Sequence, residues 1–296
     1  MDEARMPDGK NKKRFLMLLV RSLFLSGLIL SILGWALLLP KTRQQKIRPT
    51  AGWMKPLDST WVLQSPGQPY SIQTASDFKK NGEDSLRFEL RGGEKWVDQT
   101  FVTSFRSEVE TGEFPPARVV QWYSFSVFFP TNFPLETNRL VFAQWHDDWH
   151  LLQPGRIPPL AFRFVNGRLS ITLRHSADHF IRNVDDVPAE DLFKKSSFHT
   201  GRWHDFVVQA KWSCKDDGFV NVWWNSKQIV QYRGAVGYDD RGPLGYGENI
   251  APQFKFGLYR DDTDKTYVAY FNHVKSGDSP QEVDFDPSTA TQYSKD

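Results

Sequence analysis

Three short stretches of this chain set chemically capable side chains into apolar runs: "TSFRSEVE" (residues 103–110), "LVFAQWH" (140–146) and "QFKFGLYR" (253–260). Each alternates as a β-strand does, with successive side chains on opposite faces. Arg106 and Glu108 then share a face, with Phe105, Ser107 and Val109 on the other. Gln144 and His146 share a face, away from Val141, Ala143 and Trp145. Lys255, Gly257 and Tyr259 share a face opposite Phe254, Phe256 and Leu258. Side by side, the three strands would gather Arg106, Glu108, Gln144, His146, Lys255 and Tyr259 on one surface. That set has arginine, glutamine, histidine and tyrosine but no serine or cysteine nucleophile, and it suits β-elimination on a uronic acid. Removing the C5 proton builds negative charge on the neighbouring carboxylate, which arginine and glutamine can hold. A neutral histidine can take the proton, and a tyrosine hydroxyl can protonate the departing glycosidic oxygen. No redox cofactor and no water are required.

Taken singly, each residue has a plainer reading. His146 alone would be a hydrogen-bonded structural histidine, Lys255 a surface lysine and Tyr259 an edge aromatic. Arg106 and Glu108 alone would be a cross-strand ion pair, with Glu108 serving only to orient Arg106. The ordered set of three strands shifts the balance to chemistry. His150, His175, His179, His199, His204 and His273 show no metal-ligand spacing. His175 and His179 stand four apart, but they follow a strand rather than lie on a helix, so a surface loop is expected. Trp149 and Tyr246 are candidates for stacking on sugar rings, with loop or core packing as the alternative.

The elements that must position these residues are strands. "PPLAFRFVNGRLSITLRH" sets Asn166-Gly167 between two alternating runs, a strong hairpin signal. "GFVNVWWNSKQIVQY" turns around Asn225 and Ser226, and "WHDFVVQAKW" alternates Phe206, Val208, Ala210 and Trp212 on one face. "QWYSFSVFFP" and "KTYVAYFNHV" add further β-rich runs. Only "PAEDLFKK" has a helical look. Many short strands with Pro and Gly at the joins predict an all-β fold: one antiparallel sandwich over residues 57–296 with no internal boundary.

The N-terminus differs. A basic tail (1–14) is followed by an apolar run (15–39) interrupted by Arg21, in which residues 22–39 carry no charge. That is roughly the minimum for a membrane-spanning helix, and Arg21 can snorkel to the headgroups. No small-x-small cleavage site follows, so the reading is an uncleaved transmembrane anchor with a juxtamembrane linker (40–56). Basic residues flank both ends of the run, so the positive-inside rule tilts only mildly toward an N-terminus in the cytoplasm, and the expectation is a C-terminal domain outside the cytoplasmic membrane, in the periplasm. Of the chain's 37 basic and 35 acidic residues, six and three fall in the first forty, which leaves 31 and 32 beyond. The external domain is therefore near-neutral, has no global field for a polyanion, and argues against nucleic acid. Cys214 is the only cysteine, which excludes an intramolecular disulfide.

"RSEV", "QWH" and "KFGLY", in that order, resemble the three signature strands of the β-jelly-roll polysaccharide lyases, which include alginate, glucuronan and heparin lyases. The flanks "FAQWHDDWH…PPLAFRFVNGRL", "WHDFVVQAKWSCKDDGFVNVWWN" and "FKFGLYR" bring it nearer the heparin lyase–like family, over roughly residues 85–272. The resemblance implies a single jelly-roll sandwich whose concave sheet is a saccharide groove. It implies His146 as general base and Tyr259 as general acid, with Tyr259 taking both roles for one uronate epimer. Gln144 and Arg106 would neutralise the carboxylate, and Lys255 and Glu108 would complete the substrate-binding set. Val109 stands where such lyases usually carry leucine, and Gln253 where many carry tyrosine. Some relatives bind structural calcium, which makes Asp261, Asp262 and Asp264 conceivable ligands, though a solvated loop is the favoured reading. The implied partner is an acidic polysaccharide. Two other functions stay open: a non-catalytic carbohydrate-binding module, and a sandwich-fold glycoside hydrolase. The second needs two carboxylates about 5–10 Å apart, and the E-x-D-x-E strand of laminarinase-type sandwiches is missing.

Overall fold

The computed structural model describes residues 61–98, 101–111, 115–147, 156–178, 180–239 and 251–292. The expected tail, anchor and linker lie outside these residues, as do Trp149, His150, His179 and Tyr246. Among the described residues no helix is long and apolar enough to cross a membrane.

The described residues form two antiparallel sheets, with helix confined to three single 3-10 turns. The first sheet runs in the order β1 (Val62–Gln64), β5 (Thr103–Glu110), β14 (Gln253–Arg260), β7 (Leu140–His146), β8 (Leu160–Val165), β9 (Arg168–Leu173) and β10 (Glu190–Lys195). A short β4 (Trp96–Val97) also pairs with β5. The second sheet runs β13 (Lys227–Arg233), β12 (Phe219–Trp224), β11 (Trp203–Lys211), β6 (Val120–Phe128), β15 (Tyr267–Gly277), β3 (Glu83–Leu90) and β2 (Ile72–Lys80). The all-β sandwich expected from the alternation is present. Both expected hairpin turns are there too: Asn166, Gly167, Asn225 and Ser226 all have positive φ, as a two-residue turn joining twisted strands requires.

The inner faces meet in an aromatic core. Phe125 on β6 lies 5.7 Å from Phe162 on β8 and 5.7 Å from Phe254 on β14, centroid to centroid. Tyr123 meets Trp145 edge-on at 5.2 Å, and Phe88 meets Phe256 at 5.6 Å. These rings exclude water between the sheets and supply most of the burial that holds them together.

Two local readings change. "PAEDLFKK" is not a helix: its residues 190–195 are the edge strand β10, paired with β9 through a register shift between Asp191 and Phe193. The bulge lets adjacent Leu192 and Phe193 both pack against the core, which hides the period of two. On β7, simple alternation puts Val141 on the core face. A bulge between Val141 and Ala143 instead seats Val141 opposite Arg163 of β8 and Tyr259 of β14, on the outer face with them. Phe142 and Ala143 then both join the core.

Gly257 is the tightest point of the central strand. Its φ is +134°, and an added Cβ would lie 2.4 Å from the Ser107 carbonyl oxygen, 2.8 Å from Glu108 Cα and 2.9 Å from the Phe88 ring. Two of those neighbours are backbone and cannot swing aside. Gly257→Ala should therefore cost roughly 2–4 kcal/mol through strain and overpacking. A melting temperature within a degree of wild type would show that β14 and β5 can separate freely there.

Candidate active site

Strand β14 lies between β5 and β7, so the three chemically equipped stretches are adjacent. Register pairs Tyr259 with Arg106, Gly257 with Glu108, and Lys255 with Glu110 on one side. On the other, Lys255 pairs with Gln144 and Gln253 with His146. All six residues singled out from the sequence thus fall on one outer surface, though not as equals.

Glu108 is fully buried and Gln144 is 1% exposed. Gln144 Nε2 donates to Glu108 Oε1 at 2.7 Å, and Arg106 Nη1 stands 3.6 Å from Glu108 Oε2. Lys255, also buried, forms an ion pair with Glu110 at 2.8 Å. Gln64 of β1 bridges the two acids' surroundings, donating to Glu110 and accepting from Arg106 Nη1 at 2.8 Å. Glu108, Gln144 and Lys255 therefore form one buried polar layer beneath the more exposed members of the set. The carboxylate fixes the Gln144 amide and the Arg106 guanidinium, and Lys255 is held by Glu110.

Arg106, Tyr259 and His146 are the partly exposed members. The Tyr259 ring is flanked by two guanidinium groups: Arg106 at 4.3 Å and Arg139 at 4.7 Å from its centroid. Trp96 on β4 supports Arg106 from 5.3 Å. Arg139 donates to Asp261 at 2.7 Å and 3.0 Å. Burial works against its charge, but Tyr259 and Asp261 outweigh that and raise its pKa. His146 contacts the Asp147 carbonyl oxygen through Nδ1. A carbonyl only accepts, so in this contact the ring donates from Nδ1. Asp147 in turn is locked by Arg156 at 2.6 Å, and Arg156 donates to the Asp239 carbonyl at 3.1 Å.

His146 and Tyr259 stand at opposite ends of the polar layer. Four residues of β7 lie between His146 and Val141, the partner of Tyr259, a span of at most about 16 Å at ~3.3 Å per step, less where the strand bulges. Gln144 and Lys255 lie between them on the same surface.

The sequence reasoning passed over Gln64, Glu110, Arg139, Asp147 and Arg156. Glu110 was in view, two residues beyond Glu108 on the same face of the same strand. Arg139 sits one residue before β7 begins, and Gln64 and Arg156 lie far off in sequence, where spacing carries no signal. Asp261 is taken up by Arg139 and Asp264 by Thr263. Among the described residues no three His, Cys, Asp or Glu side chains converge as metal ligands would.

A family model described as polysaccharide lyase matches residues 50–275, most of the chain. The chain belongs to the polysaccharide lyase family. Among solved structures, this lyase is similar to the endo-β-1,4-glucuronan lyase from the fungus Trichoderma reesei. The TM-score is 0.57 at 16% identity, covering 74% of this chain and 91% of that one. It is also similar to alginate lyase A1-II′ of polysaccharide lyase family 7 (0.48, 14%, 73% and 93%) and to an alginate lyase from Pseudomonas aeruginosa (0.46, 16%, 74% and 97%). At such identities the glucuronan lyase likeness is one of fold, and the two lower scores add nothing to it. No curated protein matches.

Burial raises the Glu108 pKa, against the opposing pull of Arg106, Lys255 and the Gln144 amide. The folded chain thus holds this proton more tightly than the unfolded chain. Stability attributable to Glu108 should fall as pH rises from the ordinary value of 4.5 toward the raised folded value. Glu108→Gln keeps an oxygen for the Gln144 amide and removes that slope. Melting temperatures of both proteins across about pH 4–8 should show wild type losing ground to the variant as pH rises. Parallel curves would assign the slope to other groups.

Proposed function

We propose that this polysaccharide lyase cleaves a uronic-acid-containing polymer by β-elimination, with Arg106, Gln144, His146 and Tyr259 as its reacting set. The observation that carries this reading is the shared surface of β5, β14 and β7. There a guanidinium and a buried amide stand beside a histidine that donates from Nδ1 and a tyrosine flanked by two arginines. Arg106 and the second N–H of Gln144 would hold the uronate carboxylate as it gains charge. His146 Nε2 would take the C5 proton, the C4–oxygen bond would break, and Tyr259 would give its proton to the leaving oxygen. The products are a new reducing end and a C4–C5 double bond. Arg139 and Arg106 would stabilise the phenolate left behind. For the other uronate epimer Tyr259 would serve as both base and acid. Glu108, Glu110 and Lys255 act as positioning residues.

A hydrolase fits less well. Glu108 and Glu110 are the adjacent carboxylates of the site, but both are buried and engaged, so neither can approach a glycosidic oxygen or a water. The motifs around "QWH" and "KFGLY" support a place near the heparin lyase–like members. The apolar run at 15–39 supports tethering at the outer face of the cytoplasmic membrane. Carbonate extraction of cell membranes should leave the protein with the lipid, and its release would remove the anchor from the account.

The test is absorbance of the new double bond on glucuronan, alginate, heparin-type and bacterial exopolysaccharide substrates. His146→Ala and Tyr259→Phe should each lower kcat by about 10²–10⁴-fold without loss of fold. Saturated reducing ends would mean a hydrolase. Binding of a polymer with no new ends, unaffected by either change, would mean a carbohydrate-binding module.

A further inference from the structure

The outer surface of the first sheet does not end at the reacting set. One cross-strand row runs from Arg106 to Tyr259, to Val141, to Arg163 on β8 and to Ser170 on β9. Directly opposed residues share a face, so Arg163 stands on the same surface as Tyr259, two strands away, or about 10 Å at ~4.8 Å per strand. On β9, Thr172 alternates with Ser170 onto this face, and Arg174, one residue past the strand, continues the alternation, its amide donating to the Pro159 carbonyl just before β8. Between the two arginines the floor is made of the small side chains Ala161, Ser170 and Thr172, all buried. A flat shelf of small residues bordered by two guanidinium groups is a shape that admits a sugar ring and grips its acidic group.

Among the described residues neither arginine forms an ion pair. Arg163 donates to the Thr172 hydroxyl, and its buried Nε has no hydrogen-bond partner among the described residues. Arg174 Nε donates to the Val187 carbonyl at 3.2 Å. The acid that acts most on Arg163 is Asp191, but it is held by Lys194 at 2.7 Å and by Ser170 at 2.7 Å. Burial first, then Arg174 and Arg139, push the Arg163 pKa down to about 10. Burial lowers Arg174 as well. Half-buried like charges are costly to hold together and are relieved when an anion binds.

We propose that Arg163 and Arg174 form a second carboxylate-recognising subsite, which binds an acidic sugar about two residues along the chain from the one that loses its proton. This rests on the lyase reading above and deepens it: the preferred substrate carries acidic groups on neighbouring sugars, as a contiguous polyuronate does, rather than isolated uronates in a neutral chain.

The test compares the full-length protein with Arg163→Gln, Arg174→Gln and the charge-preserving Arg163→Lys, with melting temperatures to verify folding. On a contiguous polyuronate the two Gln variants should raise KM about tenfold or more with kcat largely retained, and Arg163→Lys should recover much of the loss. An unchanged KM, whatever happens to kcat, overturns the subsite and leaves the lyase reading standing. If wild type makes no double bond on any polymer, the lyase reading fails, and affinity electrophoresis through a polyuronate gel decides the subsite alone. Retention that falls in both Gln variants and recovers in Arg163→Lys supports it, and equal retention in all four proteins overturns it.

Discussion

Strand β14 cannot serve the core and the site independently, because its side chains alternate between them. Phe254, Phe256 and Leu258 bind the first sheet to the second, while Lys255 and Tyr259 equip the opposite face. Any slip of one residue would exchange the two sets, burying a lysine and a tyrosine among aromatic rings and exposing three large apolar side chains. The register that keeps the sandwich closed is therefore the register that assembles the site. Gly257 tightens the arrangement, since its close approach to Ser107 and Glu108 leaves β14 no room to drift against β5.

Under His146 and Tyr259 lies a layer of buried polar and charged groups: Glu108 with Gln144 and Arg106, Glu110 with Lys255 and Gln64. Such pairs are poor sources of stability, because desolvation offsets much of their attraction. What they provide is geometry. A glutamine on a solvated surface samples several rotamers, whereas Gln144 is held by a buried carboxylate that Arg106 also faces. The same holds for Arg106, fixed between Gln64, Glu108, Trp96 and the Tyr259 ring. Donors aimed in advance need no reorganisation when charge develops in front of them, and that is where electrostatic catalysis gets its advantage.

Much of this was legible in the sequence because alternation is a local signal. It gave the strands, both two-residue turns, the sandwich class and the six residues that share the outer face. It failed where local and tertiary patterns part company. Bulges at Val141–Ala143 and at Asp191–Phe193 break the period of two, so Val141 was assigned to the core and β10 was mistaken for a helix. The exposure of Glu108 and Lys255 was unreadable as well. Whether a charged residue on a strand is a surface contact or a buried strut depends on what the neighbouring strands bring, and Gln64 and Glu110 come from positions that no spacing connects to them.

The charge balance can be reconciled with an acidic substrate only through placement. Beyond the first forty residues the chain carries 31 basic and 32 acidic side chains, so diffusing polyanions meet no net attraction. Arg106 faces Glu108 at 3.6 Å and Arg139 faces Asp261 at 2.7 Å, whereas among the described residues Arg163 and Arg174 form no ion pair, and Asp191 is held by Lys194 and Ser170. Attraction confined to a recess is felt at contact distance and is shielded less by salt than a surface field would be. Recognition built this way counts acidic groups along a bound chain instead of the polymer's overall charge. Spacing of the carboxylates then matters more than their density.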